Sequence, residues 1–267
     1  LPRGELIRYP NRGLGSTTAP EFIRDVIGSF GGDRAYPEPV AFVDSVNLGQ
    51  PNPDPWKGHK STGIGKRPVD LSVEVRAPGP KRGGLGSGLV GDFIGDGKHH
   101  GGDSQAVYAF QREDLDYWQE RLGRELPNGH FGENLTTIGL EVNEARLGER
   151  WLVGDQVVLQ VATPRIPCAT FRGWMGEVGW AKTFTAVGRA GAYLSVVTPG
   201  FISAKDPIEV IHRPAHDVTV AMAFRATTTE RNLLPRLLEA GDDLDPELRQ
   251  SALTKSMITL DPEPTDG

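Results

Sequence analysis

The stretch Val157-Val158-Leu159-Gln160-Val161-Ala162-Thr163-Pro164-Arg165-Ile166-Pro167-Cys168 passes from an alternating apolar run into a loop held by two prolines. The alternation from Val157 to Ala162 predicts a strand. Pro164 and Pro167 fix φ at two points of the loop that follows. The loop delivers Cys168, the one cysteine in 267 residues, three positions after the cation Arg165. A nearby cation favours the thiolate, the form of cysteine that attacks carbon or ligates metal. On this loop alone the plainer reading is the stronger one, because free cysteines often serve as small buried hydrophobes.

Outward from this strand, similar signals recur. Residues 41–48, 69–75, 89–94, 106–110, 139–147, 151–153, 192–198 and 207–212 read as further strands, with 69–75 the cleanest alternation. Residues 112–125 change period: Leu115, Trp118 and Leu122 fall on one helical face. Residues 170–187 read as one or two short helices carrying Trp174, Trp180 and Phe184. With 34 glycines and 21 prolines punctuating the strands, the expected architecture is mainly β, a barrel or closed sandwich. The end of the chain is helical in pattern, at 219–226, at 230–240 and from Pro246 to Leu253. Asp245 is the expected N-cap of that last helix, with Pro246 and Glu247 in its first turn. The expected organisation is therefore an N-terminal extension (1–39), native or appended, a β domain (40–214), a three-helix segment (215–258) and a tail (259–267).

Composition excludes several classes. The formal charge is −6, from 29 basic and 35 acidic residues, which argues against nucleic acid as a partner. One cysteine forms no internal disulfide, and the sequence holds neither a run of about 18 apolar residues nor a secretory leader pattern. A cytoplasmic protein without a membrane partner is expected. Gly86-Ser87-Gly88-Leu89-Val90-Gly91 fits a dinucleotide fingerprint only literally, since that motif needs a strand before it and a helix after it. No H-E-x-x-H, C-x-x-C or Gly-x-Ser-x-Gly pattern occurs, so a zinc site or a nucleophile elbow is not expected.

Three glycine-punctuated polar loops join the Cys168 loop as candidate site elements. Thr62 to Pro68 carries Lys66 and Arg67, two cations suited to an anion, beside glycines that let backbone approach a ligand. Asp96 to Asp103 carries His99 and His100 before Gly101 and Gly102, so one imidazole can face a ligand beside bare amides. Gly129 to Thr136 carries Glu133 and Asn134. Each loop has an ordinary alternative as a solvated loop, a tight turn or a local Asx turn.

Taken in order, Thr62-Gly63-Ile64-x-Lys66-x-Pro68, Lys98-x-His100-Gly101-Gly102, Phe131-Gly132-Glu133-Asn134-Leu135, Gly154-Asp155 and Pro164-Arg165-x-Pro167-Cys168 resemble the MOSC domain. That family is related to the C-terminal part of molybdenum-cofactor sulfurases, and the likeness is greatest to its YiiM-like subgroup, in which a three-helix segment follows the barrel. The resemblance covers about residues 41–255. It implies a MOSC-type β-barrel that binds a molybdenum cofactor (Mo-molybdopterin), with Cys168 as the metal ligand. It also implies an oxidoreductase acting on N-hydroxylated compounds of the hydroxylaminopurine type. Cys168, His100 and Glu133 become the expected catalytic groups. Lys66, Arg67, His100, Gly101, Gly102, Asn134, Arg165 and Cys168 become the expected cofactor contacts. No flavin, haem or iron–sulfur motif is present, so electrons are expected from a partner redox protein. A non-redox cofactor or sulfur carrier using Cys168 is the alternative.

Overall fold

The computed structural model describes residues 41–57 and 61–258. The expected extension at 1–39, the tail at 259–267 and residues 58–60 of the loop after the first strand lie outside the described residues. Ten strands and five α-helices follow in order: β1 (Phe42–Leu48), β2 (Arg67–Val69), β3 (Val73–Val75), β4 (Val107–Gln111), α1 (Arg112–Leu122), β5 (Leu135–Ile138), β6 (Arg150–Val153), β7 (Val157–Pro164), α2 (Ala169–Met175), α3 (Trp180–Val187), β8 (Ala192–Thr198), β9 (Gly200–Ile202), β10 (Ile208–His212), α4 (Val220–Thr228) and α5 (Pro246–Thr254). Eight strands form one mixed sheet in the order β10-β6-β7-β8-β4-β5-β1-β2, and β3 pairs with β9 separately. Every neighbouring pair in the large sheet is antiparallel except β4 and β5. The parallel pair needs a crossover, which α1 supplies.

The sheet curls until its ends touch without closing as a ladder. Phe42 and Pro207 make an isolated bridge, flanked by bonds from Val43 N–H to Asp206 C=O (2.9 Å) and Lys205 N–H to Val43 C=O (2.7 Å). The expected closed barrel is therefore not formed. β5 and β2 both draw on β1, β2 pairing with Val46–Leu48, so the first residues of β1 alone meet the segment before β10.

Four expected elements differ from those observed. The alternating run 69–75 is two strands, broken at an exposed bend where Leu71 is 74 % exposed. Its halves alternate alike, but Val69 pairs with Val46 of the large sheet and Val73 with Ile202 of the small one. Residues 89–94 form a turn rather than a strand: only Leu89 bridges to Val75, and Gly91 takes φ 89°. The strand expected at 139–147 lies earlier, as β5; Gly139 at φ 74° ends it, and Val142–Glu144 is a 3-10 turn. In the expected three-helix segment the middle member is 3-10, Arg231–Asp243, interrupted by Pro235 and by Gly241 at φ 53°, ψ −127°. Proline removes an N–H and clashes with the preceding turn, so an α-helix is not continued there. The N-cap of α5 is as expected, Asp245 accepting from the N–H groups of Glu247 and Leu248.

Two buried clusters flank the sheet. The aliphatic one joins β1, β4, β6, β7 and β8 to α4 and the segment that follows it. The aromatic one packs Trp118, Phe131, Phe171, Trp180 and Phe184, with Trp118 and Trp180 centroids 4.8 Å apart and Phe131 and Phe171 5.2 Å apart. Between sheet and loops, three glycines allow backbones to cross. A Cβ on Gly63 would lie 2.0 Å from the Phe93 carbonyl oxygen, on Gly95 2.0 Å from that of Ser61, and on Gly49 2.4 Å from that of Gly63. Within the Thr62–Pro68 loop Gly63 thus serves a contact between backbones, while Gly65 lies against the Trp174 ring.

Gly63→Ala must push one backbone off another, and overpacking of this kind costs about 1–3 kcal/mol. Thermal melting should place this variant several degrees below wild type. An unchanged midpoint would show that the crossing is not a constraint.

Candidate functional site

β7 ends at Pro164, and the loop from Arg165 to Pro167 carries the chain to Cys168, the N-cap residue of α2. Cys168 is half-buried and unpaired. Burial pushes its thiol pKa up, but a hydrogen bond from His100, the charges of His100 and Arg165, and the Phe171 N–H outweigh that and bring it to about 6. Cys168 is thereby shifted toward the thiolate relative to an ordinary cysteine.

Cys168 stands between two cavities. The larger, an outer cleft of about 510 Å³, runs from the Cys168 loop past His99, His100, Gly101 and Gly102 to Lys57, Lys81 and the start of α5. The smaller, an inner chamber of about 100 Å³, has Thr62, Lys66, Asp92, Asn134 and Arg165 among its walls. His100, Gly101, Gln105, Cys168 and Tyr193 face both. Across the rim of the outer cleft, Lys81 Nζ pairs with Glu247 Oε1 of α5 at 2.7 Å.

The glycines after His100 are sterically required. Gly101 and Gly102 have φ of 82° and 79°, and added Cβ atoms would lie 2.7 Å from Gly86 O and 2.6 Å from Lys81 N. They seat the His100 turn against the 79–88 loop and so aim the imidazole at the sulfur. His99 faces the outer cleft only, with Nδ1 2.8 Å from Asp96 Oδ2.

The inner chamber rests on a carboxylate. Asp92 Oδ1 accepts from Lys66 Nζ and from Gly49 N–H (2.7 Å), and Oδ2 accepts from Ser87 Oγ (2.7 Å) and Asn134 Nδ2 (2.9 Å). Lys66 is thus neutralised within the protein. Asn134 also accepts from Tyr108 N–H through Oδ1 (3.1 Å), so its side chain is spent on structure. Glu133 lines neither cavity; it is fully buried and accepts from Gly129 N–H, Phe131 N–H and Thr136 Oγ. Burial raises its pKa to about 7, against the pull of those same hydrogen bonds. Arg67 is exposed on β2 and lines neither cavity.

Of the residues singled out in the sequence, the fold brings Cys168, His100, Gly101 and Arg165 together. Gly102 lies along the cleft, Lys66 and Asn134 lie in the chamber wall with their polar atoms engaged, and Glu133 and Arg67 lie elsewhere. Gln105, Tyr193, Lys57 and Lys81 were missed. Gln105 sits three residues past Gly102 and was within reach of the motif. Tyr193 on β8 and Lys81 carry no local signal, since only the sheet order and the loop contact with Gly102 bring them to the site.

The MOSC domain model matches residues 96–209. The uncharacterized protein YflK of Bacillus subtilis is 32% identical over 184 residues, covering 68% of this chain and 79% of YflK. YiiM of Escherichia coli is 34% identical over 145 residues, covering 51% of this chain and 61% of YiiM. The crystal structure of that YiiM aligns with a TM-score of 0.58 at 26% identity, covering 72% of this chain and 88% of that one. A Gibberella moniliformis protein named Reductase is 29% identical over 155 residues, which cover 55% of this chain and 27% of that protein.

The thiol geometry predicts an alkylation profile. Labelling of Cys168 by iodoacetamide should fall as pH drops through about 6, where the thiolate takes up its proton. His100→Ala removes both a hydrogen bond and a charge, so the midpoint should rise; an unmoved midpoint would detach His100 from the thiol. Asp92→Ala would leave Lys66 buried without its partner, an effect of about 3–5 kcal/mol. Chemical denaturation measures it, and a loss below 1 kcal/mol would remove Asp92 from its structural role.

Proposed function

Because this chain belongs to the MOSC domain family, we propose that it is a molybdenum-cofactor-dependent oxidoreductase that reduces N-hydroxylated compounds, hydroxylaminopurine-type bases among them. One observation carries the reading: Cys168 opens onto a cleft of about 510 Å³ with His100 hydrogen-bonded to it, an arrangement that lowers the thiol pKa to about 6. Volumes of about 300–1,000 Å³ suit small-molecule and cofactor sites. A thiolate is the soft, deprotonated donor that such a metal centre takes. The reductase name of the Gibberella relative supports redox chemistry over simple carriage.

Cys168 would hold the metal, with His100, Gly101 and Gly102 along the cleft wall and Lys57 and Lys81 as the cations facing the same space. When bound, the cofactor supplies two-electron removal of oxygen from the substrate nitrogen. This chain supplies the rest. Arg165 and His100 keep the sulfur anionic. Pro164, Ile166 and Pro167 give the cleft an apolar wall that limits water near the sulfur. Reduction of the N–OH group to N–H and water takes up two protons with the two electrons; the His100 imidazole, fixed by its glycine turn, donates the one that goes to the departing oxygen, and solvent in the cleft supplies the one that goes to nitrogen. Electrons come from a separate redox protein, and the reaction belongs to the cytoplasm, where a lone thiol stays reduced. Among the described residues no helix is long and apolar enough to cross a membrane.

The test is Cys168→Ser, made in a molybdenum-replete host and assayed with a reduced artificial donor and an N-hydroxylated base. Serine is nearly isosteric, so melting should shift little. Molybdenum content and turnover should fall by more than the about 10–100-fold that changes around a metal ligand cost. Wild-type protein that holds molybdenum without turnover would make carriage the function. Wild-type turnover by the serine variant would end the reading.

A further inference from the structure

His100, Gly101, Gln105, Cys168 and Tyr193 face both the outer cleft and the inner chamber. His100 is hydrogen-bonded to Cys168, the Tyr193 hydroxyl to Arg165, and Gly101 has no side chain. Gln105 differs from these: its Oε1 is buried and has no hydrogen-bond partner among the described residues. A buried acceptor left unpaired is unfavourable, because folding takes it out of water without replacing the bond. The charged groups of the outer cleft do not reach it, being engaged with one another or with backbone. Lys57 and His99 meet Asp96, and Lys81 meets Glu247. Asp103 Oδ1 accepts from Gly79 N–H at 2.8 Å, and Asp245 caps α5.

The backbone holds Gln105 in place. It closes the 3-10 turn Asp103–Gln105, and its N–H donates to Gly102 C=O at 2.9 Å. The next residue, Ala106, is buried and accepts from Gly88 N–H at 2.7 Å, just before β4 begins at Val107. The amide therefore extends from a fixed Cα into the wall that carries His100 and Cys168.

A primary amide offers an acceptor and two donors in one plane. Its complement is a flat group with an N–H beside a ring nitrogen, the pairing by which glutamine reads the N6 and N7 edge of adenine. A hydroxylaminopurine presents that pair, since the nitrogen that bears its hydroxyl also bears hydrogen and lies next to ring nitrogens. A neutral amide suits this position because it adds no charge beside the thiol.

We propose that Gln105 is a specificity-determining residue of the outer cleft. Its Oε1 accepts from the N–H of the hydroxylamino group, and its Nε2 donates to the neighbouring ring nitrogen. The two bonds fix the N–O bond against the wall formed by His100 and Cys168. The identity of the substrate rests on the reductase reading, while the contact to the base is tested apart from it.

The experiment measures, by calorimetric titration of the molybdenum-loaded protein, the Kd of adenine and of purine, which lacks the exocyclic amino group. Neither carries an N–OH group, so neither is consumed. Wild type should bind adenine about tenfold or more tighter than purine. Gln105→Leu should bring the two to one Kd, by weakening adenine and leaving purine as it was. The KM for hydroxylaminopurine should rise by a similar factor. The variant should also melt no lower than wild type, because an apolar group replaces an unpartnered buried oxygen. A wild type without the preference, a preference that survives the substitution, or an equal loss for both bases would overturn the proposal. If Gln105→Leu does not fold, Gln105→Met decides by the same comparison. Failure of the Cys168→Ser activity test with the adenine preference intact would strike the reductase reading alone. Loss of the preference from wild type with hydroxylaminopurine still reduced would strike Gln105 alone.

Discussion

One carboxylate organises the polar side of this protein. Asp92 sits in a turn, yet it takes the Lys66 ammonium, the Gly49 amide, the Ser87 hydroxyl and the Asn134 amide on its two oxygens. Its partners come from the end of β1, the loop before β2, the loop after β3 and the start of β5. A buried charge is tolerated when it is paired and its remaining lone pairs are satisfied, and both conditions hold here. The wall of the inner chamber is this network seen from the other side.

The crossing glycines make that network possible. Side chains at Gly49, Gly63 or Gly95 would separate strands of backbone that now touch, and Asp92 would no longer reach all of its donors. A second buried thread runs beneath, from Ser45 to Asn47 to Thr136 to Glu133. Glu133 ends it by receiving two backbone amides of the Gly129–Phe131 turn. The motif residues of this loop are held for shape, and the shape places Phe131 against Phe171 and the Cys168 arm behind it.

Much of this was legible in the sequence, for identifiable reasons. The strand that delivers Cys168, the amphipathic helix after β4 and the cap at Asp245 rest on local periodicity or local hydrogen bonds, which survive folding unchanged. A glycine-flanked imidazole was legible in the 96–103 loop, but its arrival at the Cys168 sulfur is given only by the fold. The failures share one cause: they depend on partners distant in sequence. Residues 69–75 alternate without a flaw but change sheets halfway. β5 is buried on both faces, so Leu135-Thr136-Thr137-Ile138 shows no alternation to read. Lys66 and Asn134 read as cavity residues and do line one, but the fold also places Asp92 beside them, and nothing near residue 92 announces that placement. Arg165 is marked by the motif, but the Phe171 ring and the Tyr193 hydroxyl that it meets come from α2 and β8.

The outer cleft has a division of labour written into its two walls. One wall is the arm that ends in Cys168, fixed by prolines and by the aromatic cluster. The other is the first turn of α5, joined across the rim by Lys81 and Glu247, residues 166 positions apart. Exposed ion pairs of this kind contribute at most about 1 kcal/mol. The far wall can therefore change its residues, or its distance, without disturbing the thiol. Substitutions in the first turn of α5 can therefore reshape the mouth of the cleft while the arm that carries Cys168 stays as it is.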